Sequence, residues 1–193
     1  MIRQLRFTFT FLGAVAVLGF LLGQQASSQA VQGRRPDAEW RLYLRHFGPF
    51  RIGMTTDQVR SLLRDPTAPL ITYVDPESDG TPCAYMDSEE IPDGIGFMFS
   101  LGKLVRVDVN AHGVFTASGI EVGDSEEKVF RTYPDQIRSD PHYYRPETGH
   151  YLIFVPMDQE DAGYGLLFET DRGTVTSFRA GLAGPVSLVE GCY

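Results

Sequence analysis

The sequence lacks the short motifs that mark common catalytic and cofactor sites. It contains no GxSxG nucleophile turn, no Walker phosphate loop and no dinucleotide fingerprint, and adjacent carboxylates such as Glu89 and Glu90 do not define a catalytic pair. The histidines show neither HExxH nor any tight ligand spacing: His46, His112, His142 and His150. We therefore expect a protein that is not an enzyme, with no catalytic residue and no cofactor. A hydrolase whose site residues meet only in the fold stays an alternative.

Positive charge is also scarce. The chain has 17 lysines and arginines against 25 aspartates and glutamates, which gives a formal charge of −8. The acidic residues are scattered along the chain, a pattern typical of a soluble, self-repelling surface. Because nucleic acids and anionic lipids require a basic footprint, we expect neither as a partner.

Cysteine occurs only twice, as Cys83 and Cys192. Two cysteines allow one intramolecular pairing, and in an exported chain we expect that disulfide to form. It would tie the first half of the protein to its last three residues. The alternative, a catalytic thiol, has no Cys-His pattern to support it and is disfavoured in an oxidising compartment.

The N-terminus predicts export. In MIRQLRFTFTFLGAVAVLGFLLGQQASSQA, Arg3 and Arg6 precede an apolar run, and small residues up to Ala30 resemble a cleavage site. We expect residues 1–30 to be a cleaved signal peptide, which makes the mature protein periplasmic or secreted. A retained signal anchor is the alternative, disfavoured because the run is short for a span of about 20 residues. No cysteine lies near the cut, so neither a lipid anchor nor stable membrane insertion is expected after cleavage.

Two pairs of similar stretches predict an internal duplication. GMTTDQV at 53–59 matches GDSEEKV at 123–129, and GIGFMFS at 94–100 matches GYGLLFE at 163–169. Both members of the first pair open a helix: Thr55 and Gln58 have the spacing of a capping box, and Asp124 with Glu127 is an acidic version. Both members of the second pair are strands, each followed by a turn and another strand. We therefore predict an α+β fold of two tandem helix-plus-antiparallel-sheet units.

An additional helix is predicted ahead of the first unit. Trp40, Tyr43, Leu44 and Phe47 recur at helical spacing, which is typical of an amphipathic helix. The predicted organisation is a signal peptide at 1–30, the N-terminal helix and first repeat at 31–115, and the second repeat at 116–193. LVRVDV at 104–109 alternates, which favours a sheet with one packed face and one face in solvent.

These features resemble two families of exported proteins. The GMTTDQV start of a helix that ends near Pro66 is similar to the opening helix of SmpA/OmlA-type outer-membrane assembly lipoproteins. Two such units in tandem, with a disulfide, resemble the β-lactamase-inhibitor-protein architecture, over about residues 47–193. The resemblance implies helices packed on an antiparallel sheet in each unit and a role in binding proteins, not in catalysis.

One acidic stretch has the spacing of a calcium loop. Asp75, Glu77, Asp79 and Gly80 match its first positions, but Met86 stands where the bidentate glutamate belongs and no helices flank the stretch. An acidic, proline-capped turn explains these residues equally well. We therefore predict no metal site.

The segment DPHYYRPETGHY at 140–151 is the most partner-like part of the sequence. Tyr143, Tyr144 and Arg145 are residue types enriched at interface hot spots, and they lie in a loop bounded by prolines. The competing interpretation is that the tyrosines cover the sheet's core. We expect an exported binding protein that recognises another envelope or secreted protein, with enzyme inhibition as one form of that role. A module that binds a small molecule or glycan in the groove between units is the second interpretation.

Overall fold

The described part of the chain, residues 40–73 and 83–192 of a computed structural model, is mainly β-strand. The predicted signal peptide and the calcium-like stretch at 75–80 lie outside it. No helix among these residues is long and apolar enough to cross a membrane. The strands are β1 His46–Phe47, β2 Phe50–Arg51, β3 Leu70–Tyr73, β4 Cys83–Met86, β5 Ile95–Ser100, β6 Lys103–Val109, β7 Ile137–Pro141, β8 His150–Phe154, β9 Tyr164–Asp171 and β10 Thr174–Leu182. The helices are α1 Thr56–Arg60, α2 Glu126–Thr132 and α3 Ala183–Ser187, with a 3₁₀ turn at Gln159–Asp161.

Strands β3 to β10 form one antiparallel sheet of eight strands in the order β3-β4-β5-β6-β10-β9-β8-β7. The prediction of two helix-plus-sheet units is therefore wrong, and the fold is mainly β. The physical reason lies at the centre of the sheet, where β6 pairs with β10 from Phe178 opposite Val109 to Gly181 opposite Arg106. This pairing satisfies the backbone groups of two strand edges that separate units would leave open. Strands β3–β6 and β7–β10, called here the two meanders, therefore form one sheet.

The predicted helix over residues 40–47 is also wrong. Leu42 forms β-bridges with Phe47 and Thr116, and His46–Phe47 is a strand, so the segment is not helical. The Leu42 N–H donates to the Phe115 carbonyl at 2.9 Å, so the segment pairs with another part of the backbone. Apolar residues at helical spacing over only eight positions are an ambiguous signal, because a short buried stretch outside a helix can show the same spacing.

Both predicted helix starts exist, and one is displaced by a residue. The capping box of Thr55 and Gln58 is confirmed, with both reciprocal hydrogen bonds present. The N-cap of the second helix is Ser125, whose side chain accepts from the Lys128 N–H, and not Asp124. Both helices are short, five and seven residues, and α1 ends at Arg60, well before Pro66. Short helices leave the sheet to supply most of the core.

The main core lies on one face of the sheet. It contains fully buried side chains from both meanders, including Phe97, Leu104, Val107, Phe168 and Phe178. The alternation of LVRVDV is interrupted, because Phe99 pairs with Leu104 while Met98 pairs with Arg106. This bulge turns Val105 to the opposite face, called here the outer face, where it packs with Met98 and Cys192. The outer face is therefore partly covered and not simply solvated.

Candidate functional site on the outer face of the sheet

The C-terminal segment, residues 183–192, crosses the outer face. Its Val186 packs against Tyr151 and Leu167. A Cβ on Gly165 would lie 3.3 Å from Val186, so this glycine leaves room for the segment. Cys192 forms the predicted disulfide with Cys83, their Cα atoms being 5.4 Å apart. The prediction of this disulfide is confirmed.

Two buried arginines hold the segment from below. Arg106 Nη1 donates to the carbonyls of Pro185 at 2.9 Å and Leu188 at 3.1 Å. Arg179 Nε donates to the Val186 carbonyl at 2.7 Å. The arginines are only 3% and 5% exposed, so the loss of a partner carbonyl would leave a buried N–H donor without an acceptor.

Each arginine also pairs with a carboxylate. Arg106 Nε lies 3.0 and 3.1 Å from the two carboxylate oxygens of Asp108, which also accepts from the Tyr85 hydroxyl at 3.1 Å. Arg179 Nη1 donates to Glu169. Burial raises the pKa of Asp108 above its usual value, although Arg106 and Arg179 act in the opposite direction. Burial and then the Asp108 charge raise the pKa of Tyr85 to about 12.

A cavity of about 390 Å³ lies between these strands and the C-terminal segment. We call it the outer-face cavity. It spans the junction of the two meanders, since it is lined by residues of β4, β5, β6, β9 and β10. Its lining residues are Tyr85, Gly96, Arg106, Asp108, Asn110, Glu169, Ser177, Phe178, Arg179, Val189, Glu190 and Gly191. Its volume is at the lower end of the range for small-ligand sites.

The predicted partner residues lie on the loop between β7 and β8. Tyr143 and Tyr144 are 73% and 59% exposed, and Arg145 is exposed as well. The interpretation that the tyrosines cover the core is therefore wrong. The two rings contact each other edge to face, with centroids 4.9 Å apart.

Hydrogen bonds fix the shape of this loop. The backbone N–H groups of Arg145 and Thr148 donate to the carbonyls of His142 and Arg145, and the Gly149 N–H also donates to Arg145. The Thr148 hydroxyl donates to Asp171 on β9 at 2.7 Å. Below the loop, His142 is buried, stacks on the Tyr151 ring and lies 3.4 Å from Glu169. Glu169 thus links the loop to the outer-face cavity.

The histidines of the β7–β8 region do not form a common site. His150 Nδ1 lies 2.8 Å from Glu126 at the start of α2, whereas His142 contacts Glu169 and Tyr151. Within residues 40–73 and 83–192, no group of three or more histidine, cysteine or carboxylate side chains could hold a metal ion.

The network of arginines and carboxylates was missed from the sequence. A signal was present, since Arg106 and Asp108 lie inside the apolar strand LVRVDV and Arg179 lies inside SFRAG. Charged residues in the middle of otherwise buried strands are almost always paired. Which carboxylate pairs with which arginine depends on the β6–β10 pairing, which the sequence pattern does not reveal.

Comparison with known proteins found no match among family models, curated proteins or solved structures. The resemblance to the β-lactamase-inhibitor and SmpA/OmlA-type families therefore stays a prediction. Function has to be inferred from the outer face itself.

Proposed function

We propose that this protein is an exported, non-catalytic binding protein that recognises another envelope or secreted protein through its β7–β8 loop. Inhibition of an enzyme in that compartment is one form that this binding would take. The observation that carries the proposal is the exposure of Tyr143 and Tyr144 on a loop that internal hydrogen bonds hold in shape.

Two adjacent exposed aromatic rings form a surface whose burial by a partner would favour binding. Tyrosine and arginine are enriched at interface hot spots because they combine a large contact area with a polar group. Tyr143, Tyr144 and Arg145 present all three such side chains in succession. Binding at this loop would bury the two rings together, since they already contact each other.

The rigidity of the loop favours affinity. A flexible loop loses conformational entropy when it binds, about 0.5–1.5 kcal/mol for each side chain that becomes ordered. Here the loop backbone is held by its own hydrogen bonds and by the bond from Thr148 to Asp171. The loop therefore loses less conformational entropy when it binds. This arrangement supports a binding function more than a structural one.

The disulfide supports export. A bond between Cys83 and Cys192 persists in oxidising compartments and is rare in the cytosol. It agrees with the predicted signal peptide, and it makes the expected partner a protein of the same compartment.

Affinity capture from the cell envelope tests the proposal. The tagged full-length protein is expressed with its own N-terminus, beside a Tyr143→Ala/Tyr144→Ala variant and a control, Met157→Ala. Met157 is 78% exposed but lies outside the loop. We expect one stoichiometric partner with the wild-type protein and the control, and a loss of about 2 kcal/mol or more of binding to that purified partner in the double variant. Equal binding by all three proteins would refute the proposal.

A further inference from the structure

The outer-face cavity contains polar side chains whose hydrogen-bonding capacity the protein does not use. Asn110, Ser177 and Glu190 line it, and their side chains make no hydrogen bond with any other described residue. An amide and a hydroxyl both donate and accept, while a carboxylate only accepts. The cavity therefore offers donors and acceptors side by side.

Arg179 provides a further donor at this cavity. Its Nε and Nη1 bond to Val186 and Glu169, but its Nη2 is buried without a hydrogen-bond partner in the described parts of the chain. A buried donor without a partner costs about 1–3 kcal/mol. An acceptor supplied by a ligand would reduce that cost.

The charges around the cavity favour a neutral ligand. Asp108, Glu169 and Glu190 oppose only Arg106 and Arg179, and both guanidinium groups are almost fully buried and already paired. An anion would meet the excess of carboxylates. A simple cation would accept no hydrogen bond from Arg179, so neither class uses the whole lining.

Small residues shape the floor of the cavity. Gly96 pairs with Asp108 across β5 and β6, and Ser177 pairs with Glu169 across β9 and β10. A Cβ on Gly96 would lie 3.2 Å from the Tyr85 ring, so a larger residue there would press against the cavity wall. The lining thus combines hydrogen-bond donors and acceptors with the aromatic ring of Tyr85. Such a lining suits a compact cyclic ligand that carries hydroxyls, because each hydroxyl both donates and accepts.

We propose that the outer-face cavity binds one neutral sugar ring, either a free monosaccharide or the terminal unit of a glycan. In this site, Asn110, Ser177 and Asp108 bond to ligand hydroxyls and Arg179 donates to a ligand oxygen. The site is distinct from the protein-binding loop, although Glu169 lines the cavity and also contacts His142 at the start of that loop.

Titrations of the ¹⁵N-labelled protein, followed by NMR, test this proposal. The neutral probes are the methyl glycosides of glucose, galactose and N-acetylglucosamine, and the charged probes are glucuronate and arginine. We expect at least one neutral probe to shift the amide signals of Gly96, Ser177 and Gly191, and the charged probes to shift them at least tenfold more weakly. A trisaccharide of the binding sugar then separates the two sources: tighter binding identifies a glycan end, and weaker binding a free monosaccharide.

A matched pair of variants locates the site. Ser177→Val removes a cavity hydroxyl, whereas Ser139→Val makes the same change at an exposed position on β7. We expect at least tenfold weaker sugar binding in the first variant and no change in the second. Tyr143→Ala/Tyr144→Ala should bind the sugar normally, even if it loses the protein partner. The proposal is overturned if no neutral probe shifts the cavity amides at about 50 mM, where a site of about 5 mM affinity would be mostly filled, or if arginine binds more tightly than every sugar.

Discussion

The backbone N–H of Tyr144 donates to Nδ1 of His142 at 3.1 Å. Nε2 of the same ring lies 3.4 Å from Glu169 and 3.3 Å from Arg145 Nη2. Glu169 in turn pairs with Arg179, which holds the C-terminal segment. The exposed loop, the cavity and the C-terminal segment thus share one chain of polar contacts.

We expect His142→Phe to loosen the loop while keeping a ring against Tyr151. The change removes the acceptor for the Tyr144 N–H and the contact with Glu169, so the amide should exchange hydrogen faster and partner binding should weaken. Hydrogen exchange followed by mass spectrometry measures the first effect. Unchanged protection of residues 142–145 would show that His142 does not position the loop.

Gly149→Ala should distort the same loop from its other end. A Cβ at this position would lie 2.5 Å from the Thr170 carbonyl oxygen, which is too close for any side chain. We expect a loss of about 2 kcal/mol or more in the free energy of unfolding, measured by urea denaturation, and weaker partner binding. The control is Gly163→Ala, where nothing lies within 4 Å of the added atom. If both variants are equally stable, the close packing of the loop on β9 is wrong.

The disulfide should contribute strongly to stability. The bond closes a loop of 109 residues, for which chain entropy predicts up to about 4.7 kcal/mol. We expect Cys83→Ser/Cys192→Ser to lose about 2–4 kcal/mol and to show faster hydrogen exchange in residues 183–192 than elsewhere. Mass spectrometry of the oxidised wild-type protein should detect no free thiol, and two free thiols would contradict the pairing.

Asp124 should make stability depend on acidic pH. Its burial would raise its pKa, but hydrogen bonds from Lys128 Nζ at 2.6 Å and the Glu121 N–H at 2.8 Å hold that pKa below the usual 3.8. The ionised form therefore contributes stability above the usual pKa, which is lost as pH falls through the lower folded-state value.

We expect Asp124→Asn to lower the free energy of unfolding by about 1 kcal/mol at pH 7, and the difference from wild type to shrink below about pH 4. Thermal denaturation as a function of pH measures both effects. Asp93→Asn, at an exposed position, is the control and should show neither effect. A difference of constant size down to about pH 2 would contradict the assignment.

Local chemistry could be predicted from the sequence better than long-range pairing. The capping box at Thr55 and Gln58 depends on two residues three apart, and the disulfide is the only pairing that two cysteines permit. The position of β6 against β10 depends on contacts between residues some seventy positions apart, which leave no periodic signal. That pairing decides the fold, and it therefore also decides where Asp108 and Arg179 meet.

The candidate site shows the same division. Tyr143, Tyr144 and Arg145 could be selected from the sequence because residue type and a proline-bounded loop are local features. The exposure of the two tyrosines could not be predicted from the sequence, since a tyrosine is equally suited to the edge of a core and to the surface. The outer-face cavity could not be predicted from the sequence, because it forms only when the C-terminal segment folds back over β6 and β10.

Site-specific photo-cross-linking in the living cell tests the proposed function most directly. A benzophenone amino acid replaces Tyr143 in one variant and Leu101 in another, both 73% exposed but on different loops. We predict one discrete cross-linked product with an exported protein from position 143, and none from position 101. The same products from both positions, or no protein product from position 143 while the variant remains folded and exported, would contradict recognition through the β7–β8 loop.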